Sequence, residues 1–139
     1  MTFLVPADSP IRSLNEVDRE GVRIAVADRS AYDLFLTRSL KNANLVRAQG
    51  IDGSYELFVR EKLEALAGLK PRLVSDAEKL KGSRVLDGQV TGVQQAIGTP
   101  KARAAAAAFL SQFAADIKRS GLVKRIVENH GVRGVTVAP

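Results

Sequence analysis

A chain of 139 residues that is 45% hydrophobic and 26% charged has the size of one ordinary domain and enough apolar side chain to bury a core. It contains no cysteine, which excludes a disulfide framework, a thiol nucleophile and thiolate-held zinc while leaving the redox compartment open. The net charge of +6 is uneven, nine basic against ten acidic residues up to Gly68 and twelve against five beyond it, yet the cations are scattered, and five Phe, two Tyr and no Trp form no row of stacking platforms, so solvated helix faces are expected rather than a nucleic-acid surface.

In chain order, Phe3 to Val5 reads as a short apolar strand ended by Pro6. The run MTFLVPADSP is broken by Pro6, Asp8 and Pro10 before an export-signal core is complete, so no export signal and no membrane span are expected in the chain as it reads. SPIRSLNEVDRE is a turn with a brief helix, and Val22 to Ala27 is a second strand rich in β-branched residues. Ser30 with Asp33 three positions later fits a capping box, and Ala31, Leu34, Phe35, Leu36 and Leu40 give the following helix an apolar face. Leu45 to Ala48 reads as a strand, QGIDGS as a turn, about Ser54 to Lys62 as a helix, and Leu63 to Ala67 as an apolar strand run. Gly68 and Pro71 punctuate another helix through Ala77, and Arg84 to Leu86 follows as a strand.

Val90 to Pro100 then reads as a strand ending in a turn. Thr99 as N-cap and Pro100 at the first helical position open the longest helix, Lys101 to Ser120, with Phe109, Leu110, Phe113, Ala114 and Ile117 on one face. A last helix, Leu122 to His130, carries Leu122, Val123, Ile126 and Val127. Alternation of strands and helices predicts an α/β layer with mostly parallel strands, whose ligands bind beyond the carboxyl ends of the strands.

Ser30 lies at such an end. A helix N-terminus carries free N–H groups and the positive end of the dipole, which suits an anion; the alternative is that Ser30 only caps its own helix and Arg29 is solvated. Enzymatic readings find no support in the residues. His130 is the sole histidine and sits at a helix end, where a cation is favoured by the dipole alone, and there is no GxSxG elbow. The acidic residues lack metal-loop spacing and the glycines match neither a P-loop nor GxGxxG, so no metal and no cofactor is expected.

The order LVPADSPIRSLNEVDREGVRIAV, the strand-to-helix turn DRSAYD, then KLEALAG, VQQAIGTPKARAAAAAFLSQF and SGLVKRIVENHG resembles the bacterial extracellular solute-binding proteins of family 3, the ligand-capturing subunits of ABC importers. The resemblance spans nearly the whole chain and rests on the order of its parts rather than on one motif. It implies an α/β fold, one lobe of a type II periplasmic-binding-protein fold, three-layer αβα with a mostly parallel sheet plus C-terminal helices. It implies residues 1–5 as a first hinge strand, 6–87 as the second lobe, 88–99 as the return hinge strand, and 100–139 as helices that pack on a first lobe, so the chain reads as N-terminally truncated against the family pattern.

The resemblance also implies a site. The turn matching DRSAYD binds the ligand's carboxylate in the family, which makes Arg29, Ser30 and Ala31 candidates with Tyr32 as a wall. Many amino-acid binders carry an Asp for the ligand ammonium where this chain has Leu69, followed by Lys70; losing the acid removes the expected recognition of a free amino acid, and Lys70 either meets a second acidic group on the ligand or is an exposed residue at a helix start. The expected partners are a small anionic or carboxylate-bearing ligand, an ABC permease in the family context, and a second copy of the chain in a homodimer or domain-swapped oligomer, with a periplasmic location. Two other classes stay open: a truncated oligomerising remnant without ligand capture, and the effector-sensing domain of a LysR-type regulator. Some relatives act as dehydratases, but a binding protein rather than an enzyme is the expectation.

Overall fold

The computed structural model describes residues 1–138 and divides into two units, Met1–Val93 and Gln94–Pro139. The first unit is built on a sheet of β1 (Thr2–Pro6), β2 (Arg23–Ala27), β3 (Asn44–Ala48), β4 (Ala65–Gly68) and β5 (Ser83–Val85), in the order β3-β2-β4-β1-β5. β2 pairs in parallel with β3 and β4, while β1 runs antiparallel to β4 and β5 on either side of it. Four strands therefore share one direction, as short strands joined by helical crossovers must.

Period-2 alternation assigns the two faces of this sheet. Phe3, Val5, Ile24, Val26, Ala65 and Ala67 pack on one side with Val17, Tyr32 and Leu36. Leu4, Ala25 and Leu66 pack on the other with Leu57, Phe58 and Leu73. The first layer is supplied by α1 (Ala31–Ser39) and a 3-10 turn at Leu14–Glu16, the second by α2 (Gly50–Arg60) and α3 (Lys70–Lys79), which gives the three-layer αβα architecture expected of one lobe.

Polar contacts tie the connections to this frame. The Asp18 carboxylate accepts the backbone N–H groups of Lys41, Asn42 and Ala43 at 2.8–3.1 Å, and these bonds hold it below the usual carboxylate range. Arg84 donates to the carbonyls of Ser9 and Ile11 at 3.0 and 2.6 Å and so fixes the first loop.

Three local expectations need correction. No strand forms between β5 and α4, where Val90 to Pro100 reads as one; Val90 donates to Met1 at 3.0 Å, and among the described residues the segment beyond Thr91 has no ladder partner to hold a strand. The helix after β3 begins at Gly50 rather than near Ser54. Gly50 takes φ +71°, which lets the chain turn directly off the strand, and Asp52 sits in the first turn where a negative charge is favourable.

The third correction falls in the second unit. Its long helix, α4 (Ala104–Arg119), starts after Arg103 and not at Lys101: Arg103 donates back to Pro100 at 2.9 Å in a turn, and the alanine run then supplies the propensity to begin. Gly121 at φ +70° separates α4 from α5 (Leu122–Asn129), and the Phe109 and Phe113 rings stack with centroids 6.2 Å apart. Among the described residues, no helix is long and apolar enough to cross a membrane.

Candidate functional site

Three helices begin immediately beyond the carboxyl ends of β2, β3 and β4: α1 at Ala31, α2 at Gly50 and α3 at Lys70. Their first turns line one pocket, formed by Tyr32 of α1, Ile51 and Ser54 of α2, Leu69 at the end of β4, and Arg72 and Asp76 of α3. The pocket's cavity is about 30 Å³. That is room for one water or the head of one small polar group, so the body of any larger ligand lies outside it.

The turn at Arg29 and Ser30 is locked from within. Arg29 adopts φ +57°, a left-handed conformation uncommon for a residue with a side chain. Ser30 Oγ accepts the N–H of Asp33 at 3.1 Å, and the Asp33 carboxylate reaches back to the N–H of Arg29 at 2.9 Å. The reciprocal bond of the expected capping box thus lands one residue earlier, because Ser30 N–H is already given to Ala27. Asp33 is itself buried, and Arg47 of β3 holds it from the side with Nε at 3.0 Å and its terminal nitrogen at 3.0 Å.

Two donors of α1 remain. Among the described residues, no acceptor takes the N–H of Ala31 or of Tyr32, and Ala31 is exposed. The Tyr32 ring is buried, and burial pushes its hydroxyl above the ordinary value despite an opposing hydrogen bond with the Ser30 side chain. Of the residues singled out from sequence, Ser30, Ala31, Tyr32 and Leu69 therefore meet at one edge of the sheet. The Arg29 side chain does not join them: it is 90% exposed, and its nearest anion is Asp28 at 3.8 Å. Lys70 opens α3 half-buried, with no ion-pair or hydrogen-bond partner for its ammonium among the described residues.

Sequence reasoning missed Arg72, Asp76 and Asp52. Arg72 Nε sits 2.8 and 2.9 Å from the two oxygens of Asp76, and its terminal nitrogen 2.7 Å from Asp52. The bond from Asp52, followed by that from Asp76, holds the guanidinium more firmly protonated than usual. Arg72 and Asp76 are four apart on one helix and could have been paired from spacing. Nothing in the sequence marks Asp76 as buried or brings in Asp52 from another helix.

Gly68 closes β4 against the Leu73 side chain. A Cβ there would lie 2.9 Å from Leu73 Cδ2, and Leu73 is fully buried. Among the described residues no group of three or more His, Cys, Asp and Glu side chains could hold a metal ion.

No family model and no curated protein matches this chain. Solved structures do. An ancestral arginine-binding protein bound to glutamine is similar over 96% of this chain and 59% of its own length, at 12% identity and a TM-score of 0.77. A mutant of ArgBP from T. maritima matches 92% of this chain and 56% of its own, at 17% identity and TM-score 0.74. An ancestral cyclohexadienyl dehydratase matches 92% of this chain and 55% of its own, at 20% identity and TM-score 0.57. The fold is thus that of the periplasmic solute-binding proteins of ABC transporters, and the chain spans less than two thirds of the length of each of these structures.

Proposed function

We propose that this chain is the ligand-contacting lobe of a substrate-capturing component of an ABC importer, working in the periplasm, and that its ligand is a small molecule bearing a carboxylate or similar anion. One observation supports the reading: among the described residues, the N–H groups of Ala31 and Tyr32 stay without acceptors at the edge of the sheet where three helices start. Such donors, with the positive ends of the dipoles behind them, suit an oxyanion and repel a cation. Ser30 shapes the turn, Tyr32 and Leu69 provide the apolar wall, and Lys70 adds a free cation for a second acidic group. Arg29 acts here through its left-handed backbone, which aims the turn, and its side chain stays in solvent until a ligand arrives.

Leu69 bears on ligand class. It lines the pocket and offers no charge to an ammonium, and an ammonium desolvated without a partner is costly. Calorimetric titration with amino acids, dicarboxylates and small inorganic anions tests this. Dicarboxylates are expected to bind, and neutral zwitterionic amino acids to bind no better than anions of matched size. Selective binding of a neutral amino acid overturns the ligand class, and silence across the whole panel overturns the function.

The same reading treats residues 1–5 and 88–99 as the segments that link this lobe to the rest of a binding protein, and assigns the exposed apolar side chains of α4 and α5 to an interface with a second copy. Phe109, Phe113, Leu122 and Ile126 are 67%, 43%, 38% and 48% exposed, and covering the four is worth on the order of 5 kcal/mol. Light scattering that returns a monomer mass at micromolar concentration contradicts the second copy.

A further inference from the structure

Arg72 is held by two carboxylates that differ in kind. Asp76, one turn along α3, is 1% exposed and takes Nε through both oxygens at 2.8 and 2.9 Å. Asp52, from the first turn of α2, has a side chain 84% exposed and meets only a terminal nitrogen, at 2.7 Å. A guanidinium presents five N–H donors in a rigid plane. The Asp76 bonds therefore fix the plane of Arg72, which lines the pocket with Tyr32, Ile51 and Leu69 and turns its terminal nitrogen to the exposed Asp52.

The exposed pair is weak and exchangeable, because solvent screens it and Asp52 loses side-chain freedom to make it. An incoming oxyanion can offer that terminal nitrogen and its neighbour two oxygens in a bidentate arrangement, where Asp52 makes a single contact.

Building on the solute-binding reading above, we propose that Arg72 is the specificity-determining cation of this site: the bound solute presents an oxyanion that displaces Asp52 from the terminal nitrogen of Arg72, while buried Asp76 keeps the guanidinium aimed. Asp52 is then a stand-in for the ligand, which neutralises Arg72 when the site is empty and moves back into solvent when it fills. Asp76 is a positioning residue, since it acts through Arg72 alone.

The experiment is an NMR titration of the full-length chain, labelled with ¹⁵N, with sodium succinate and separately with sodium sulfate, following the Arg72 Nε–Hε resonance and the backbone amides of Ala31 and Tyr32. Asp52→Asn removes the competing carboxylate and is expected to bind succinate about threefold more tightly than the unaltered chain. Glu56→Gln makes the same change in net charge one turn further along α2 and is expected to leave the affinity unchanged. Arg72→Lys keeps a cation for Asp76 but loses the planar edge, and is expected to weaken succinate about tenfold.

The proposal is overturned if Asp52→Asn behaves like Glu56→Gln, or if the Arg72 resonance stays still at saturation. Should Arg72→Lys fail to fold, the Asp52 and Glu56 variants still decide. Movement of the Ala31 and Tyr32 amides with Arg72 unmoved would overturn this inference and leave the solute-binding reading standing. If neither moves with either anion, both fall.

Discussion

Residues 1–93 bury their apolar side chains between a sheet and two helical layers, while from residue 94 onward no described residue is buried and Phe109, Phe113, Leu122 and Ile126 face solvent. Both stretches have helices with well-formed apolar faces; only the first has a sheet to receive them. A helix face is half of an interaction, and its burial depends on what the topology brings opposite. The site sits wholly within the first unit, so the geometry that aims Ala31, Tyr32 and Arg72 depends on side chains the unit buries itself.

The comparison breaks most visibly at the core. Leu66→Ala, at a fully buried position on the central strand β4, is expected to cost about 2–5 kcal/mol in denaturant unfolding. Phe109→Ala is expected to cost under about 1 kcal/mol at nanomolar concentration, where any second copy has dissociated, and more at micromolar concentration, where the copy covers it. Equal costs for the two substitutions at nanomolar concentration would erase the distinction between the units.

Asp33→Ala comes next, at about 2 kcal/mol, because it removes the acceptor for the Arg29 N–H and leaves Arg47 without its buried partner. It should also loosen the Ser30 turn, which amide hydrogen exchange at Ala31 and Tyr32 would register. Gly68→Ala is expected to cost about 1–3 kcal/mol, since its methyl displaces Leu73 from a closed core, and thermal unfolding measures it.

The smallest effect is on pH. Arg23 hydrogen-bonds Glu64 and holds the Glu64 carboxyl below its ordinary value of 4.5, so the folded state binds that proton less readily than the unfolded chain. Stability from this pair is fully present above pH 4.5 and is lost as pH falls through the lower folded value. Glu64→Gln should flatten that part of the profile while leaving the slope due to Asp18 in place.

Local grammar made much of the fold legible. β-branched runs gave β2, Ser30 with Asp33 gave the start of α1, and Gly68 with Pro71 gave the start of α3. Errors arose where a partner decides the outcome: the run Val90 to Ile97 reads as a strand but, beyond the bonds of Val90 and Thr91 to Met1, makes no ladder, and QGIDGS reads as a turn until Gly50 is seen to open α2. The site divides the same way. Ser30 follows from its position after a strand, and Tyr32 and Leu69 from the family resemblance, whereas Asp52 and Arg72, twenty positions apart, meet across two helices, and the burial of Asp76 that makes the pair directional is a property of packing.

The central claim is that the carboxyl edge of this sheet receives an anion on the open end of α1. A ¹H–¹⁵N titration of the full chain with succinate tests it most directly. The account predicts saturable shifts led by the amides of Ala31 and Tyr32, with the amides at the far ends of the strands, such as Leu63 and Gly82, unmoved. Uniform small shifts that never saturate, or shifts centred on the scattered lysines of residues 79–81, would contradict it.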